Sequence, residues 1–361
     1  MWQPACMPTT AIIIGAGPAG CAVAIALADR GHRASLIGAA GVRRTWAGET
    51  LPPGAGDLVT SLFGDQVLDD AVHNPAYGVR AAWGSDDLTT TDFIAHPDGD
   101  GWHLDRAAFD ARLAQTAAAR GVEVITDHVR TVTRDGDQWE VAASDRSLRG
   151  EWVVDATGRG GGPFRSLAGA KHVYDQQVAL VALAQRGRSA LAMTTIETVP
   201  DGWWYSTPLP DGRVVMALVT DSDLAPQGDA RAPWWHTRLR ASRHISRLGE
   251  FPSATPPTVH AAGTGHRDRL WGEGWALAGD AAISWDPLSS QGLVTAILMG
   301  SRLGAAIGRC STGDSDALPE WERDYFMLRD EHLGLRSYYW STEERWIGHA
   351  FWDRRRGVSP S

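Results

Sequence analysis

The first regular pattern along the chain is a continuous apolar run, Ala11-Ile12-Ile13-Ile14, as expected of a parallel strand buried on both faces. Glycines follow, and then a segment from about Pro18 to Arg30 that reads as a helix, with proline in its first turn and Gly31 as its stop. Ala34 to Ile37 is the next strand and completes a βαβ start. From Arg43 to Asp100 the chain is rich in Gly, Pro, Asp and Thr, which predicts loops with short strands. Leu104, Ala108, Ala111, Leu113 and Ala117 recur at roughly helical spacing and predict a helix over His103 to Arg120, closed by Gly121. Strands are then expected at Val122 to Ile125, Val129 to Thr133, Gln138 to Ala142 and Trp152 to Val154. Alternating segments at Val178 to Ala184, Met193 to Val199, Trp203 to Pro208 and Val214 to Thr220 predict an antiparallel sheet. An arginine-rich helical stretch occupies 231–248, a last strand is expected at Trp275 to Ala278, and the final 40 residues read as helical.

The long apolar segment Leu293 to Gly308 carries Gly300, Gly304 and Gly308 four residues apart. On one helix face these glycines would admit a neighbouring backbone closely; the alternative is simple enrichment in a chain with 40 glycines. The segment is interrupted by Ser301 and Arg302 and reads as too short to span a bilayer. Residues Met1 to Thr10 lack the basic start and apolar run of a signal peptide, so a cytoplasmic location is expected.

Length and charge narrow the picture further. A chain of 361 residues predicts two to three domains, and a formal charge of −9 disfavours nucleic acid as the main partner. Cys6, Cys21 and Cys310 are an odd and scattered set, which points to a reducing compartment and to no metal site. Lys171 is the sole lysine, so chemistry that needs a second amine is excluded.

Candidate chemistry begins at Gly15-Ala16-Gly17-Pro18-Ala19-Gly20, a G-x-G-x-x-G sequence between a buried strand and a helix. Gly15 would allow the tight turn, Gly17 the approach of a pyrophosphate, and Gly20 the packing of helix on strand, with Ala19 among the cofactor-binding positions. The acidic residue that would hold a ribose is missing at the end of the second strand, where Gly38 stands; Arg43 and Arg44 are candidates for contact there, or solvated charges. Asp155-Ala156-Thr157-Gly158 ends one buried strand with small residues. Gly279-Asp280 ends another and leads through Asp286-Pro287-Leu288-Ser289-Ser290-Gln291-Gly292 into the glycine-striped helix, whose free N–H groups could face a flavin ring or a pyrophosphate.

Together with Gly48-Glu49-Thr50-Leu51-Pro52-Pro53 and Leu104-Asp105-Arg106 with Phe109, these elements resemble the FAD-dependent aromatic hydroxylases and, more closely, the flavin-dependent tryptophan halogenases and halogenase-like flavoproteins. The resemblance implies an α/β fold: a Rossmann-like FAD-binding domain (9–60, 101–172 and 258–311), an inserted antiparallel-sheet substrate domain (61–100 and 173–257) and a helical C-terminal segment (312–361). It also implies that Asp280 binds the ribitol, that Arg106 lies near the pyrophosphate, and that Val129 meets the adenine; Thr157, Gly158, Pro287 and Gly292 are further candidates for binding the cofactor.

Two departures bear on activity. The halogenase motif Trp-x-Trp-x-Ile-Pro reads here Trp203-Trp204-Tyr205-Ser206-Thr207-Pro208, and no lysine stands between Leu51 and Arg106, where halogenases carry one. The expected reaction is therefore aromatic hydroxylation, plausibly of an indole or tryptophan group, through a flavin C4a-hydroperoxide formed with molecular oxygen. NAD(P)H or an external flavin reductase would supply the electrons, and the substrate would be a small molecule or a residue of a peptide or protein, as the aromatic C-terminal tail hints. Alternatives are a flavin-binding maturation factor without turnover, an oxidase, or a halogenase.

Glu49 is the candidate acid or base, or else a loop carboxylate held by backbone. Ser290, Gln291 and Gly292 are candidates for stabilising charge on the flavin. Trp46, Trp203, Tyr205 and Trp285 are candidates for an aromatic substrate pocket, with core packing as the alternative for the last three. His73, His96, His103, His236, His260 and His266 are possible proton shuttles or simply surface and satisfied residues.

Overall fold

The computed structural model describes residues 9–38, 49–187, 191–250 and 256–357. The isoleucine run forms the strand Thr10–Ile14, fully buried along Ala11–Ile13, at the centre of a six-stranded sheet. Across that sheet the order is Trp271–Gly272, Trp275–Leu277, Trp152–Asp155, Thr10–Ile14, Arg33–Ile37 and Glu123–Ile125. Every neighbouring pair is parallel except the Trp271–Gly272 edge. Ile14 lies opposite Asp155 on one side and Ile37 on the other, so three strands end level with one another.

The helix Pro18–Ala28 lies over this sheet with all but its two terminal residues buried, because the helix Gly292–Ser311 covers its outer side. A Cβ at Gly300 would stand 2.7 Å from the Ala19 carbonyl oxygen, and one at Gly304 would stand 2.5 Å from that of Val23. The glycine stripe is thus a packing device that lets two backbones touch. Gly292–Ser311 is longer than the apolar stretch read from sequence, and by length and composition it could cross a membrane. More than half of it is buried within this fold, as in a core helix.

The second layer is an eight-stranded sheet. Its antiparallel core is Gln177–Arg186, Arg213–Asp221, Gly202–Pro208 and Thr194–Val199, and Thr194–Val199 then pairs in parallel with Gly78–Ala82. One face, with Trp204 and Leu180, packs on the helix Arg231–Ala241 through Trp235. The other face is covered at one end by the C-terminal tail, whose Trp340, Phe351 and Trp352 pack against Trp203. The tail is clamped there by the ion pairs Arg355–Asp221 (2.7 Å) and Arg354–Asp223 (2.6 Å), and by the Trp352 indole N–H donating to the Val199 carbonyl (2.8 Å).

Three expected elements shift. The helix predicted from His103 is Arg106–Ala119, because Asp105 caps it by accepting from the Ala108 N–H (3.1 Å); His103 belongs to the strand Gly101–His103. The strand expected from Val129 is Thr131–Asp135. The stretch 231–248 is helical only to Ala241, since Ser242 turns to extended backbone and a short 3-10 turn, Ile245–Arg247, follows. The tail is helical at Ala317–Ser341 and Ala350–Arg355.

Gly304→Val should lower stability by about 1–3 kcal/mol through overpacking. Gly334→Ala, at an exposed helical site where a Cβ meets nothing within 4 Å, should raise it by about 1 kcal/mol. Chemical denaturation midpoints of the two variants measure both.

Candidate functional site

At the level ends of the central strands the loops meet backbone to backbone. The Gly15 N–H donates to the Ile37 carbonyl (2.7 Å), the Ala156 N–H to Ile14 (2.8 Å), and the Ala278 N–H to Asp155 (2.8 Å). A side chain on Gly15 (φ +116°) would strike the Ala156 carbonyl oxygen at 2.3 Å, and one on Gly20 would strike the Gly15 carbonyl oxygen at 1.9 Å. Gly38 answers to the same crowding, since its Cβ would lie 2.7 Å from the Ala16 nitrogen. The absence of an acidic residue there is therefore steric. At Gly17, by contrast, a Cβ would meet nothing within 4 Å, because that face opens into a cavity.

This cavity has a volume of about 910 Å³, near the top of the range for small-molecule and cofactor sites. It lies at the crevice where the parallel sheet reverses its strand order, the usual ligand position in doubly wound folds. Two helix N-termini without side-chain caps border it, at Gly17 and Gly292, and both direct free N–H groups and positive potential toward it. Its far wall comes from the large sheet, where alternation brings Ala179 and Val181, Val215, Ala217 and Val219, and Tyr205 to one face.

Several charged groups around the cavity are paired. Arg159 forms an ion pair with Asp280 (3.0 Å) and also donates to the carbonyls of Gly263 (2.6 Å) and Trp285. Arg106 pairs with Asp110 one helical turn on (3.0 Å). Asp155 turns inward to accept from the Thr157 N–H (3.0 Å) and hydroxyl (2.7 Å); burial raises its pKa and these bonds oppose the rise. Asp286 caps the Pro287–Ser289 turn through the Leu288 N–H (3.2 Å), and Arg336, itself paired with Asp175, holds its carboxylate from behind (3.3 Å). Burial raises the Asp286 pKa, and Arg336 counters it. The turn ends at Ser290, the one non-glycine residue with positive φ (+52°) among the described residues. Such backbone strain is commonly held at functional sites.

Of the residues singled out from sequence, Gly15, Gly17, Ala19, Glu49, Arg106, Val129, Thr157, Gly158, Tyr205, Asp280, Trp285, Pro287, Ser290 and Gly292 line this one cavity. Gly20 packs just behind it. Gln291 does not line it: it stands at the N-cap position with an exposed side chain that makes no cap hydrogen bond, and its carbonyl accepts from the Thr295 N–H (2.8 Å). Trp203 is likewise no pocket residue. It is fully buried beneath the C-terminal tail, beside Trp83 and Trp352. Arg43, Arg44 and Trp46 lie outside the described residues.

Sequence reasoning missed Arg159, Asp110 and the small apolar wall. Arg159 directly follows the Asp-Ala-Thr-Gly element, and Ala179, Val181, Val215, Ala217 and Val219 recur at period two, so both signals were present. Asp110 carried no signal beyond its spacing from Arg106.

The profile of the tryptophan halogenase family matches residues 89–359. The chain belongs to that family. LodB of Marinomonas mediterranea, described as a putative FAD-dependent oxidoreductase, is 26% identical over 362 residues, covering 97% of both chains. Among solved structures, the myxobacterial chondrochloren halogenase CndH superposes with a TM-score of 0.86 at 23% identity, covering 96% of this chain and 85% of its own. QhpG, a peptidyl tryptophan dihydroxylase of tryptophylquinone biogenesis, superposes with a TM-score of 0.79 at 23% identity, covering 97% and 79%. This family member is an FAD-dependent oxidoreductase with the fold of its halogenase-like relatives. Its cavity fits that cofactor: two uncapped helix ends await an anion, Gly17 and Gly158 leave room where a side chain would intrude, and Asp280 offers a carboxylate at a strand end.

Gly38→Asp, which supplies the acidic residue of the usual fingerprint, should weaken flavin retention because its Cβ collides with Ala16. The 450 nm absorbance of the purified variant, compared with wild type, reads this directly.

Proposed function

We propose that this flavoprotein is a monooxygenase that hydroxylates an aromatic, indole-type group on a small molecule or on a residue within a peptide or protein. The carrying observation is a cavity that joins a dinucleotide crevice to an apolar wall and has no lysine in its lining. Lys171, the sole lysine, stands on the strand Lys171–Val173 outside that lining. FAD, reduced by NAD(P)H or by a separate flavin reductase, supplies the oxidising equivalent with molecular oxygen.

The chain's own residues do the rest. Gly15, Gly17, Ala19 and Gly20 present backbone to the pyrophosphate, with Arg106 nearby; Asp280 holds the ribitol, and Val129 meets the adenine. Thr157, Gly158, Pro287, Ser290 and Gly292 border the flavin ring, and the helix end at Gly292 stabilises negative charge there. Ala179, Val181, Ala217 and Trp285 exclude water and give a flat ring an apolar seat. Glu49, buried in the same wall, takes up the proton the ring must lose.

Incubation of the yellow protein with reduced flavin, oxygen and tryptophan-containing peptides or free indoles should give products heavier by one or two oxygens, with no halogen incorporated when bromide or chloride is present. Mass spectrometry reads both, and products carrying halogen alone refute the proposal. Glu49→Gln should keep the flavin and lower kcat by roughly a hundredfold or more. A flavin-holding assembly factor would instead reoxidise slowly in stopped flow, without product.

A further inference from the structure

Behind Tyr205 runs a buried chain of hydroxyls that the proposed reaction leaves unexplained. The Tyr205 Oη lies 3.1 Å from the Thr50 Oγ1, which lies 3.3 Å from the Thr207 Oγ1. Thr207 in turn lies 3.3 Å from the Thr194 Oγ1 and 2.9 Å from the Nδ1 of His103. His103 and Thr207 are fully buried, and Thr50 and Thr194 nearly so. Tyr205 and Thr207 stand two residues apart on one strand face, at the two positions where the motif of this chain departs from Trp and Ile. The two departures are thus joined through Thr50 into one polar network.

Hydrogen-bond counting gives the network a direction. Burial, reinforced by the positive charge of Arg186, pushes the His103 pKa down to about 4, so the ring is neutral, with one N–H and one acceptor nitrogen. A backbone contact from Ala192 favours a proton on the ring, and Nε2 makes no hydrogen bond of ordinary geometry. With Nδ1 engaged by Thr207 as the acceptor, the ring proton stands on Nε2. Having given its proton to His103, Thr207 can only accept, and Thr50, Thr194 and Tyr205 all lie beside it. Tyr205 gives its proton either to Thr207 directly or to a Thr50 that has spent its own, and in both cases the acceptor lies in the wall. The phenol proton is drawn into the wall, and Tyr205, whose side chain lines the cavity, keeps lone-pair capacity on its oxygen.

We propose that Tyr205 is a specificity-determining residue whose oxygen accepts a hydrogen bond from an N–H or O–H on the aromatic substrate, and that Thr50, Thr207 and His103 are positioning residues that hold it in that sense. This rests on the aromatic reading above and goes beyond it by naming the group the ring must carry. An indole N–H meets the requirement and its N-methyl derivative does not. Burial and the nearby Glu49 both raise the phenol's pKa, so Tyr205 remains a neutral phenol throughout the working range.

The first arm of the test needs no substrate. In protein labelled with ¹⁵N-histidine, the His103 signals, assigned with His103→Gln, should show a neutral ring protonated at Nε2 from pH 5.5 to 8. Thr207→Val should shift the Nδ1 resonance, and Thr207→Ser should restore it. A His103 ring carrying its proton on Nδ1 reverses the chain and overturns the proposal.

The second arm titrates the oxidised holoenzyme with indole and with 1-methylindole, reading the flavin difference spectrum. Wild type should bind indole roughly fivefold to tenfold more tightly, the worth of one hydrogen bond. Tyr205→Phe should bind the two rings alike, Thr207→Val should lose most of the preference, and Thr207→Ser should keep it. A preference that survives in Tyr205→Phe is steric and overturns the role given to Tyr205. If His103 behaves as stated while neither indole nor phenol binds, the aromatic reading itself fails, and the acceptor role falls with it.

Discussion

The close approach of bare backbone at the ends of the central strands is the constraint on which the rest of this structure depends. Gly15 against Ala156, Gly20 against Gly15 and Gly38 against Ala16 leave no room for a single methyl group. Only because these contacts are so tight do the loops after Thr10–Ile14, Arg33–Ile37 and Trp152–Asp155 converge on one crevice. The same economy recurs one layer out, where Gly300 and Gly304 seat one helix on another and bring the uncapped end at Gly292 to the opposite side of that crevice. A site for a long, anionic cofactor arises from glycine placement in three separate segments.

The large sheet closes the site with a wall of different character. Alternation sends Trp204 to one face, into a core with Trp235, and Tyr205 to the other, into the cavity. Small residues at Ala179 and Ala217 make volume there, while the threonines behind Tyr205 make polarity. The wall is thus mostly apolar toward a ring, with a small polar patch at Tyr205, Thr50 and Glu49 set in it.

Much of this was legible in the chain. The isoleucine run, the glycine fingerprint, the Asp155–Gly158 and Gly279–Asp280 elements and the Gly292 helix are local patterns, and each falls where its pattern places it. What local pattern could not supply was partnership across the fold. Trp203 and Tyr205 share a strand face and look equivalent in sequence, yet the C-terminal tail covers one and leaves the other open. His103 read as the start of a helix because Leu104 onward is periodic, whereas Asp105 caps the helix after it and leaves the imidazole in the wall. Gly38 looked like a missing function and is a packing requirement.

The strand pairings also set an order of events. Gly78–Ala82 finds its parallel partner only at Thr194–Val199, and Trp152–Asp155 finds one of its neighbours only at Trp275–Leu277. Both layers are stitched from segments far apart in the chain, and such non-local closure is slow. A nascent polypeptide leaving the ribosome has its first glycine turn early but lacks the far rim of the crevice until some three hundred residues have been made, by the usual direction of synthesis. Cofactor capture in this architecture is accordingly a late event in maturation, and a chain interrupted before the Gly292 helix would lack one of the two helix ends that border the crevice.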